Sequence, residues 1–265
     1  MIYLNAKNLK NALLLKKKHP NFFPLCGSSD ISLKLRNNSI DGIIDISHLS
    51  ELNYIDKTKN TITIGASTTI NSLLENSDIN RYIPILADAS KEFASHQVRN
   101  IASIGGNIAN DSPVADLIAP LLVLDAKVNL LSSNTKRTIF LHELLIGFKS
   151  LDLNNEIIIS LDIPIKKAQH YYRKVGARAK LNIAKLSLAM IRNKDGFFIS
   201  GASLNPYVKR FSNLETLLNS GEFNDELIKI AIDKDISPSG SFRSTKEYRS
   251  AVLFNLVKDA LGKFE

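Results

Sequence analysis

A strand, a turn, a helix and a second strand follow one another near the start of the chain, and this order restricts the fold most. The segment "NFFPLC", residues 21–26, is typical of a strand and "GSSD" of a turn. A short helix over residues 31–36 and the strand "DGIIDIS", residues 41–47, follow. Two strands joined by one helix pair in parallel with a right-handed crossover. The sequence therefore predicts a compact parallel β-α-β unit.

The next part of the chain alternates helices with strands. An amphipathic helix precedes the unit, in "NLKNALLLKKKH", and "LNYIDKTKNTITIGA", residues 52–66, predicts a β-hairpin. "TINSLLEN" predicts a helix capped by Thr68, and "IPILADASKEFA" a second one with Pro84 near its start. The segment "ADLIAPLLVLDAKVNLL" predicts a helix that runs into a strand, and "EIIISLDIPI" predicts a further strand ending near Pro164.

The last hundred residues have a different pattern. The segments "YYRKVGARA", "IAKLSLAMIRN" and "FFISGASLNP" predict antiparallel strands with a turn at residues 194–196. Helices are expected over about 212–219, about 224–234 and from 245 onward. Ser244 and Glu247 form a capping-box pattern at the last of these. The expected core face of this helix consists of Tyr248, Val252, Leu256 and Ala260.

These patterns predict an α+β protein of two domains. The first covers residues 1–166, with subdomains of about 1–55 and 56–166, and the second covers residues 167–265. The second domain is expected to combine an antiparallel sheet with helices.

Composition excludes several classes of site and location. The chain has one cysteine, Cys26, so it holds neither an intrachain disulfide nor a cysteine-ligated iron–sulfur cluster of its own. No apolar stretch approaches the roughly 20 residues of a membrane helix, and the N-terminus lacks a secretory cleavage pattern. We therefore expect a cytoplasmic protein that does not enter a membrane. The net charge is +8, but its lysines are scattered, so a nucleic-acid partner is not expected.

Motifs for hydrolytic or metal chemistry are missing. The histidines have no metal-ligand spacing, and His142-Glu143 is not completed to H-E-x-x-H because position 146 is Ile. Nucleophile-elbow, P-loop and dinucleotide-fold glycine patterns are absent as well. The sequence thus offers no catalytic side chain and no metal ligand.

Two turns of small residues are the remaining candidates for a binding site. In "LCGSSD", Gly27 and the serine hydroxyls could approach an anion, although an ordinary turn with Asp30 as helix cap fits equally well. In "SIGGNIANDS", Gly105 and Gly106 leave the backbone open to an extended ligand, or form a loop between helices. Two such turns in one chain favour a long, phosphate-bearing cofactor that bridges them.

At these residues the chain resembles a known family. "IASIGGNIANDSPVADLIAPLLVLDAKV" resembles the T-I/L-G-G-N-I/L-A…S-P-x-S/A-D-L signature of the FAD-binding medium subunit of molybdenum hydroxylases, the family of xanthine and carbon monoxide dehydrogenases. "PLCGSSDISLKLR" is similar to its A-G-G-T-D-L segment, and "YYRKVGARAKLNIAKLSLAM" to its K-x-x-x-R-x-x-x-D-I-A segment. "ISPSGSFRSTKEYRSAVLFNLVKDAL" resembles its closing D-x-R-G/A-S-x-x-Y-R-R pattern. The similarity spans nearly the whole chain.

The resemblance implies a PCMH-type (vanillyl-alcohol-oxidase-like) FAD-binding domain of two α/β subdomains, followed by a smaller α+β domain. The chain would pass electrons from iron–sulfur clusters on one partner subunit, fed by a molybdopterin-binding subunit, through FAD to NAD or another acceptor. The first turn and Ser103 to Asn107 would lie at the FAD phosphates and ribityl chain, Asp116 at a cofactor hydroxyl, and Phe93 and Lys174 near the flavin. The implied FAD contacts are Leu25, Cys26, Gly27, Ser28, Ser29, Asp30, Ile31, Phe93, Ser103, Ile104, Gly105, Gly106, Asn107, Asn110, Asp116, Ile158 and Lys174.

Three positions depart from the family pattern. Ser28 replaces its second glycine, Asn182 replaces the aspartate of D-I-A, and Asp111 adds an acid close to the expected phosphates. An alternative is therefore a non-catalytic assembly subunit that kept the fold and lost or weakened FAD binding. A further alternative is a stand-alone flavin reductase or dehydrogenase, like the one acting on a UDP-sugar enolpyruvate. The substrate of the complex is left open by the sequence.

Overall fold

The fold is built from three β-sheets with helices packed around them. The computed structural model describes residues 1–36, 40–148, 151, 153, 155–178, 183–238, 240 and 244–264. Asn182, and Ala179 at the end of a predicted strand, lie outside the described residues.

The first sheet contains the predicted parallel β-α-β unit. Its elements in chain order are β1 (Ile2–Asn5), α1 (Leu9–Lys18), β2 (Phe23–Leu25), α2 (Ile31–Arg36) and β3 (Gly42–Asp45). Strands β1 and β2 both pair in parallel with β3, which lies between them. The prediction for β2, α2 and β3 is confirmed, whereas β1 was missed because its short run, "IYLN", is largely exposed and lacks an apolar alternation.

The second sheet has five antiparallel strands in the order β4-β5-β8-β6-β7. Its strands are β4 (Ile55–Lys57), β5 (Thr61–Gly65), β6 (Lys127–Leu131), β7 (Lys136–Phe140) and β8 (Ile157–Pro164). The hairpin of β4 and β5 is as predicted, and β7 was missed. A short helix, α9 (Leu141–Leu144), follows β7.

Six helices lie between β5 and β6 in the sequence. They are α3 (Ile70–Glu75), α4 (Ser77–Tyr82), α5 (Pro84–Lys91), α6 (His96–Arg99), α7 (Ile104–Ala109) and α8 (Ile118–Val123). The predicted cap of α3 was wrong by one residue. Thr69 accepts from the backbone N–H of Ser72, while the hydroxyl of Thr68 donates to the carbonyl of Tyr54. Adjacent threonines offer the same capping group, so only the path of the chain selects one.

The third sheet has the antiparallel order β12-β11-β10-β9. Its strands are β9 (Gln169–Val175), β10 (Leu186–Asn193), β11 (Gly196–Gly201) and β12 (Lys209–Arg210). The helices α10 (Ser212–Ser220), α11 (Asp225–Asp235) and α12 (Lys246–Phe264) follow. Apart from the short β12, these elements match the prediction. None of the helices in the described part of the chain has the length and apolarity needed to cross a membrane.

Two details of α12 differ from the prediction. Thr245, not Ser244, accepts from the N–H of Tyr248, because the Ser244 hydroxyl is taken by the side chain of Arg249. The centre of the buried face is at Leu253 and Val257, one position on from the predicted Val252 and Leu256, which are only partly buried. Ala260 is buried as predicted, whereas Tyr248 is exposed. Both faces repeat at helical spacing in the sequence, and contact with the sheet decides between them.

Hydrophobic cores between the sheets and the helices hold the folded chain together. The main core lies between the second sheet and helices α3 to α8, and is completed by Ala189, Ile191, Ala202 and Val208 from the third sheet and its connections. A second core lies between the third sheet and α10 to α12, and a third supports the first sheet. The proposed division at residue 166 falls between β8 and β9, and it stays a prediction.

Candidate functional site

A large cavity lies where the first sheet meets helices α5 to α7, the start of β8 and the segment before β10. Its volume is about 890 Å³, within the range of small-molecule and cofactor sites. Most of the residues predicted to contact a cofactor line it. They are Cys26, Gly27, Ser28, Ser29, Asp30, Ile31, Phe93, Ser103, Gly105, Gly106, Asn107, Asn110, Asp116 and Ile158.

Three predicted contact residues do not line the cavity. Ile104 is fully buried in the main core, and Leu25 ends strand β2 just before the lining begins. The Lys174 side chain is 3% exposed, and its ammonium lies behind Asp116 rather than in the cavity. Lys174 can therefore act on a bound ligand only through the groups it contacts.

The two small-residue segments meet in the folded chain. A Cβ atom placed on Gly27 would lie 1.6 Å from the carbonyl oxygen of Ile101, so the first turn packs directly on the backbone that leads into the second segment. The adjoining Cys26 Sγ is 3.1 Å from the Ser67 hydroxyl. Only glycine allows this close approach of two backbones. The cavity therefore has these two segments as neighbouring walls.

The Gly105-Gly106 segment is helical, which corrects its interpretation as a turn or loop. Ser103 caps α7 by accepting from the N–H of Gly106, and the N–H groups of Ile104 and Gly105 donate to the carbonyls of Thr68 and Ala66. These N–H groups at the start of α7 are thus already used within the protein. A Cβ on Gly105 would lie 2.7 Å from that of Ala66. The glycine lets α7 pack closely against the end of β5, and leaves ligand contact to neighbouring side chains.

The first turn offers backbone donors instead. Among the described residues, the N–H groups of Gly27, Ser28 and Ser29 make no hydrogen bond to a protein acceptor. Ser28 has φ 58°, in the left-handed region. Successive free N–H groups at such a turn form a concave site for an anion. The first turn therefore has the backbone features of an anion site, although it departs from the family pattern at Ser28.

Two buried oxygen atoms at the cavity have no hydrogen-bond partner in the described structure: Oδ1 of Asn107 and Oδ1 of Asp116. Leaving such atoms unpaired costs about 1–3 kcal/mol each. Both residues line the cavity, so donors from a bound molecule could complete them. These atoms fit a ligand that carries hydroxyl or amide N–H groups.

Asp116 is held by Lys174. The Lys174 ammonium lies 2.8 Å from Asp116 Oδ2 and also donates to the carbonyl of Glu92, at 3.1 Å. Burial raises the pKa of Asp116 to about 6, and the charge of Lys174 opposes this rise. The contact fixes one carboxylate oxygen, and the other has no hydrogen-bond partner in the described structure.

Phe93 provides an aromatic wall. It follows the C-terminus of α5, packs against the main core and also lines the cavity. The guanidinium of Arg99 donates to the Phe93 carbonyl at 2.8 Å, and Ala94 has φ 36°. The side chain is therefore part of both the core and the cavity wall.

Asp111 does not face the cavity. Its side chain is buried and Oδ2 accepts from the N–H of Leu151, at 3.3 Å. The acid is thus turned towards the segment before β8.

Sequence reasoning missed several lining segments. The cavity also contacts Lys16 and residues 20–24, residues 151, 153 and 155–157, and Ile183 with Ala184. Ile183 and Ala184 belong to the D-I-A-like match, which was a usable signal. The first two segments carry no motif, and only the packing of α1 and β8 brings them to the cavity.

The chain is similar to known proteins over nearly its whole length. Residues 1–166 match the family model described as the FAD binding domain in molybdopterin dehydrogenase. The chain is 30% identical to the glyceraldehyde dehydrogenase medium chain of Sulfolobus acidocaldarius, over 97% of this chain and 96% of that protein. It is 27% identical to the xanthine dehydrogenase FAD-binding subunit of Escherichia coli O157:H7, over 98% and 94%. A solved structure of carbon monoxide dehydrogenase from Hydrogenophaga pseudoflava that lacks the Mo-pyranopterin moiety aligns with a TM-score of 0.90 at 26% identity, covering 99% of this chain and 98% of that one.

Proposed function

The chain belongs to the family of FAD-binding domains in molybdopterin dehydrogenases, with FAD as its cofactor. We propose that it is the electron-transfer subunit of a molybdenum hydroxylase complex of the xanthine dehydrogenase type, and that it passes electrons from a partner subunit through FAD to an acceptor. The electrons would come from an iron–sulfur subunit that receives them from a molybdopterin-binding subunit, and would leave to NAD or another acceptor. The names of the relatives, as medium chains and FAD-binding subunits of dehydrogenases, support this role.

The first turn would hold the pyrophosphate. The free N–H groups of Gly27, Ser28 and Ser29 point to a site for negative charge, and the hydroxyls of both serines add donors. The net charge of +8 favours binding of an anionic cofactor as well. The contacts to Asp30 and Ile31, at the start of α2, would continue this wall.

The second segment would hold the less charged part of the cofactor. Oδ1 of Asn107 would accept from a cofactor hydroxyl or N–H group, and Oδ1 of Asp116 from another. Lys174 keeps the Asp116 carboxylate oriented, and Phe93 offers its ring to the flavin system. When bound, FAD supplies the chemistry that couples two-electron and one-electron transfer. The side chains of this protein bind it, orient it and exclude water from one side.

The observation that carries the proposal is the pair of unpartnered buried oxygens beside a turn with free N–H groups. Two acceptors and three successive backbone donors at one cavity match the opposite groups of a cofactor that has both hydroxyls and phosphates. A protein that had lost its cofactor would be free to lose these costly buried atoms. The contact residues themselves stay a prediction.

Titration of the purified chain with FAD tests the proposal. We expect saturable uptake of one FAD per chain, seen as a change in the visible spectrum of the flavin. The single cysteine provides a second measurement, because Cys26 lines the cavity and burial raises the pKa of its thiol. FAD should slow labelling of Cys26 by a thiol reagent by about tenfold or more.

The controls separate binding from general stabilisation. Riboflavin lacks the phosphates and should protect Cys26 poorly. In urea, where the chain is unfolded, FAD should not change the rate of Cys26 labelling. If the folded chain neither takes up FAD nor gains protection, the FAD-dependent role is wrong and the assembly role remains. Electron transfer to NAD is then tested with the reconstituted complex and a comparison of NAD with an artificial acceptor.

A further inference from the structure

We infer that Arg249, in the Y-R pattern at the start of α12, is a positioning residue that holds two walls of the FAD cavity in place through Ser203. This inference rests on the proposed FAD site. Neither Arg249 nor Ser203 lines the cavity, and both are buried. The Y-R pattern was part of the sequence resemblance, and the cavity contacts described above give it no role.

Ser203 joins three separate parts of the chain. Its N–H donates to the carbonyl of Pro113 at 2.7 Å, and its hydroxyl donates to the carbonyl of Ala184 at 3.1 Å. Its own carbonyl accepts from the guanidinium of Arg249. Every polar group of this residue is therefore used in a link between elements that are distant in the sequence.

Two of these links end at the cavity wall. Pro113 lies between Ser112 and Val114, which both line the cavity, and Asp116 follows in the same segment. Ala184 lines the cavity itself. Ser203 thus ties the wall that follows α7 to the wall that precedes β10.

Arg249 stabilises the conformation that makes these links possible. Ser203 has φ 63°, a left-handed backbone that a residue with a side chain adopts only when its surroundings enforce it. Arg249 donates to the Ser203 carbonyl, and its Nε donates to the Ser244 hydroxyl at 2.7 Å. A planar guanidinium with several donors suits this double contact, which an ammonium cannot reproduce. Without it, Ser203 is expected to leave the left-handed region and release Pro113 and Ala184.

The experiment compares Arg249→Met with Arg192→Met in the full chain. Arg192 donates to the carbonyl of Phe264 and so anchors the opposite end of α12, about 22 Å away along the helix. We expect Arg249→Met to raise the FAD dissociation constant about tenfold and to change the visible circular dichroism of bound FAD. Arg192→Met should stay within about twofold of the wild type. Arg249→Lys should fall between the wild type and Arg249→Met.

The outcomes distinguish this inference from the FAD site itself. If the wild type takes up no FAD, the proposed function fails. If the wild type binds and Arg249→Met binds equally well, or if Arg192→Met weakens binding as much, only the role of Arg249 is overturned.

A second variant tests the inference if Arg249→Met does not fold. Ser203→Gly removes the hydroxyl that contacts Ala184 and relieves the left-handed strain, so it is expected to fold. Its FAD dissociation constant should rise about threefold without a loss of stability. An unchanged constant would contradict the inference.

Discussion

Ser28 has a strained backbone angle whose cost can be measured as a change in stability. It has φ 58°, where the family pattern has glycine. A side chain in the left-handed region costs about 1–2 kcal/mol. We expect Ser28→Gly to increase the free energy of unfolding by about 0.5–1 kcal/mol, after the entropy cost of glycine. Urea denaturation of the two proteins measures this difference.

Ser29→Gly is the matched control for Ser28→Gly. The Ser29 backbone is not in the left-handed region, so glycine there removes no strain and adds only chain entropy. This variant should be destabilised by about 0.4–1 kcal/mol. Equal effects of both changes would show that the angle at Ser28 carries no strain.

Asp116 makes the stability of the FAD-free protein depend on pH. Its pKa of about 6 in the folded chain exceeds the ordinary aspartate value of about 3.9, because burial outweighs the charge of Lys174. The folded state then binds more protons than the unfolded state between these values, so stability falls as pH rises from about 4 to about 6. Asp116→Asn cannot titrate and should lack this fall.

Unfolding curves at pH 4, 5, 6 and 7 measure the effect of Asp116→Asn. The difference in free energy of unfolding between variant and wild type should change across this interval and level off above it. Asp56→Asn is a control, since Asp56 is exposed on β4 and does not line the cavity. If the free energies of unfolding of the wild type and of Asp116→Asn change in parallel with pH, the pKa of Asp116 is not raised.

In helix α7, intrinsic helix propensity and side-chain packing have opposite effects on the choice between glycine and alanine. Alanine is favoured over glycine by about 1 kcal/mol in a helix. At Gly105, however, the added Cβ would lie 2.7 Å from Ala66 Cβ and 2.8 Å from its carbonyl oxygen. We expect Gly105→Ala to destabilise the protein by about 1–3 kcal/mol, because α7 must move away from β5. Thermal unfolding measures the change.

Gly262→Ala tests propensity without packing. Gly262 lies in α12, and an added Cβ there has no neighbour within 4 Å. This variant should be more stable than the wild type by up to about 1 kcal/mol. If Gly105→Ala stabilises to the same degree, the close approach of α7 to Ala66 is not a constraint.

At the scale of the whole molecule, the third sheet completes the core of the preceding part. Ala189 and Ile191 from β10, with Ala202 and Val208, pack into the main core, and α8 lies against β10 and β11. A fragment of residues 1–166 would expose this apolar surface. We expect it to lack a cooperative unfolding transition, and to bind FAD at least about tenfold more weakly than the full chain.

Co-expression of residues 1–166 with 167–265 is the companion experiment. The two pieces should purify together, because each covers apolar surface of the other. A sharp unfolding transition and full FAD affinity of 1–166 alone would show that the division at residue 166 separates independent domains.

Much of the element order could be predicted from the sequence. Apolar periodicity and glycine or proline at segment ends are local signals, and they identified the β-α-β unit, the hairpin of β4 and β5 and the helices of the last hundred residues. Choices between equivalent neighbours could not be made this way. Thr68 and Thr69 offer the same cap, and the faces of α12 that carry Leu253 or Val252 have the same spacing. Contacts with distant elements select one of each pair.

The candidate site divides in the same manner. By itself the sequence determined which segments are rich in small and polar residues, since glycine, serine and asparagine are local signals of turns and of close backbone contacts. Only the tertiary structure decided that Gly27 packs on Ile101, that Lys174 fixes one oxygen of Asp116, and that Arg249 reaches Ser203. These contacts join residues far apart in the chain. Their energies come from burial and hydrogen-bond geometry, which exist only after the three sheets have packed together.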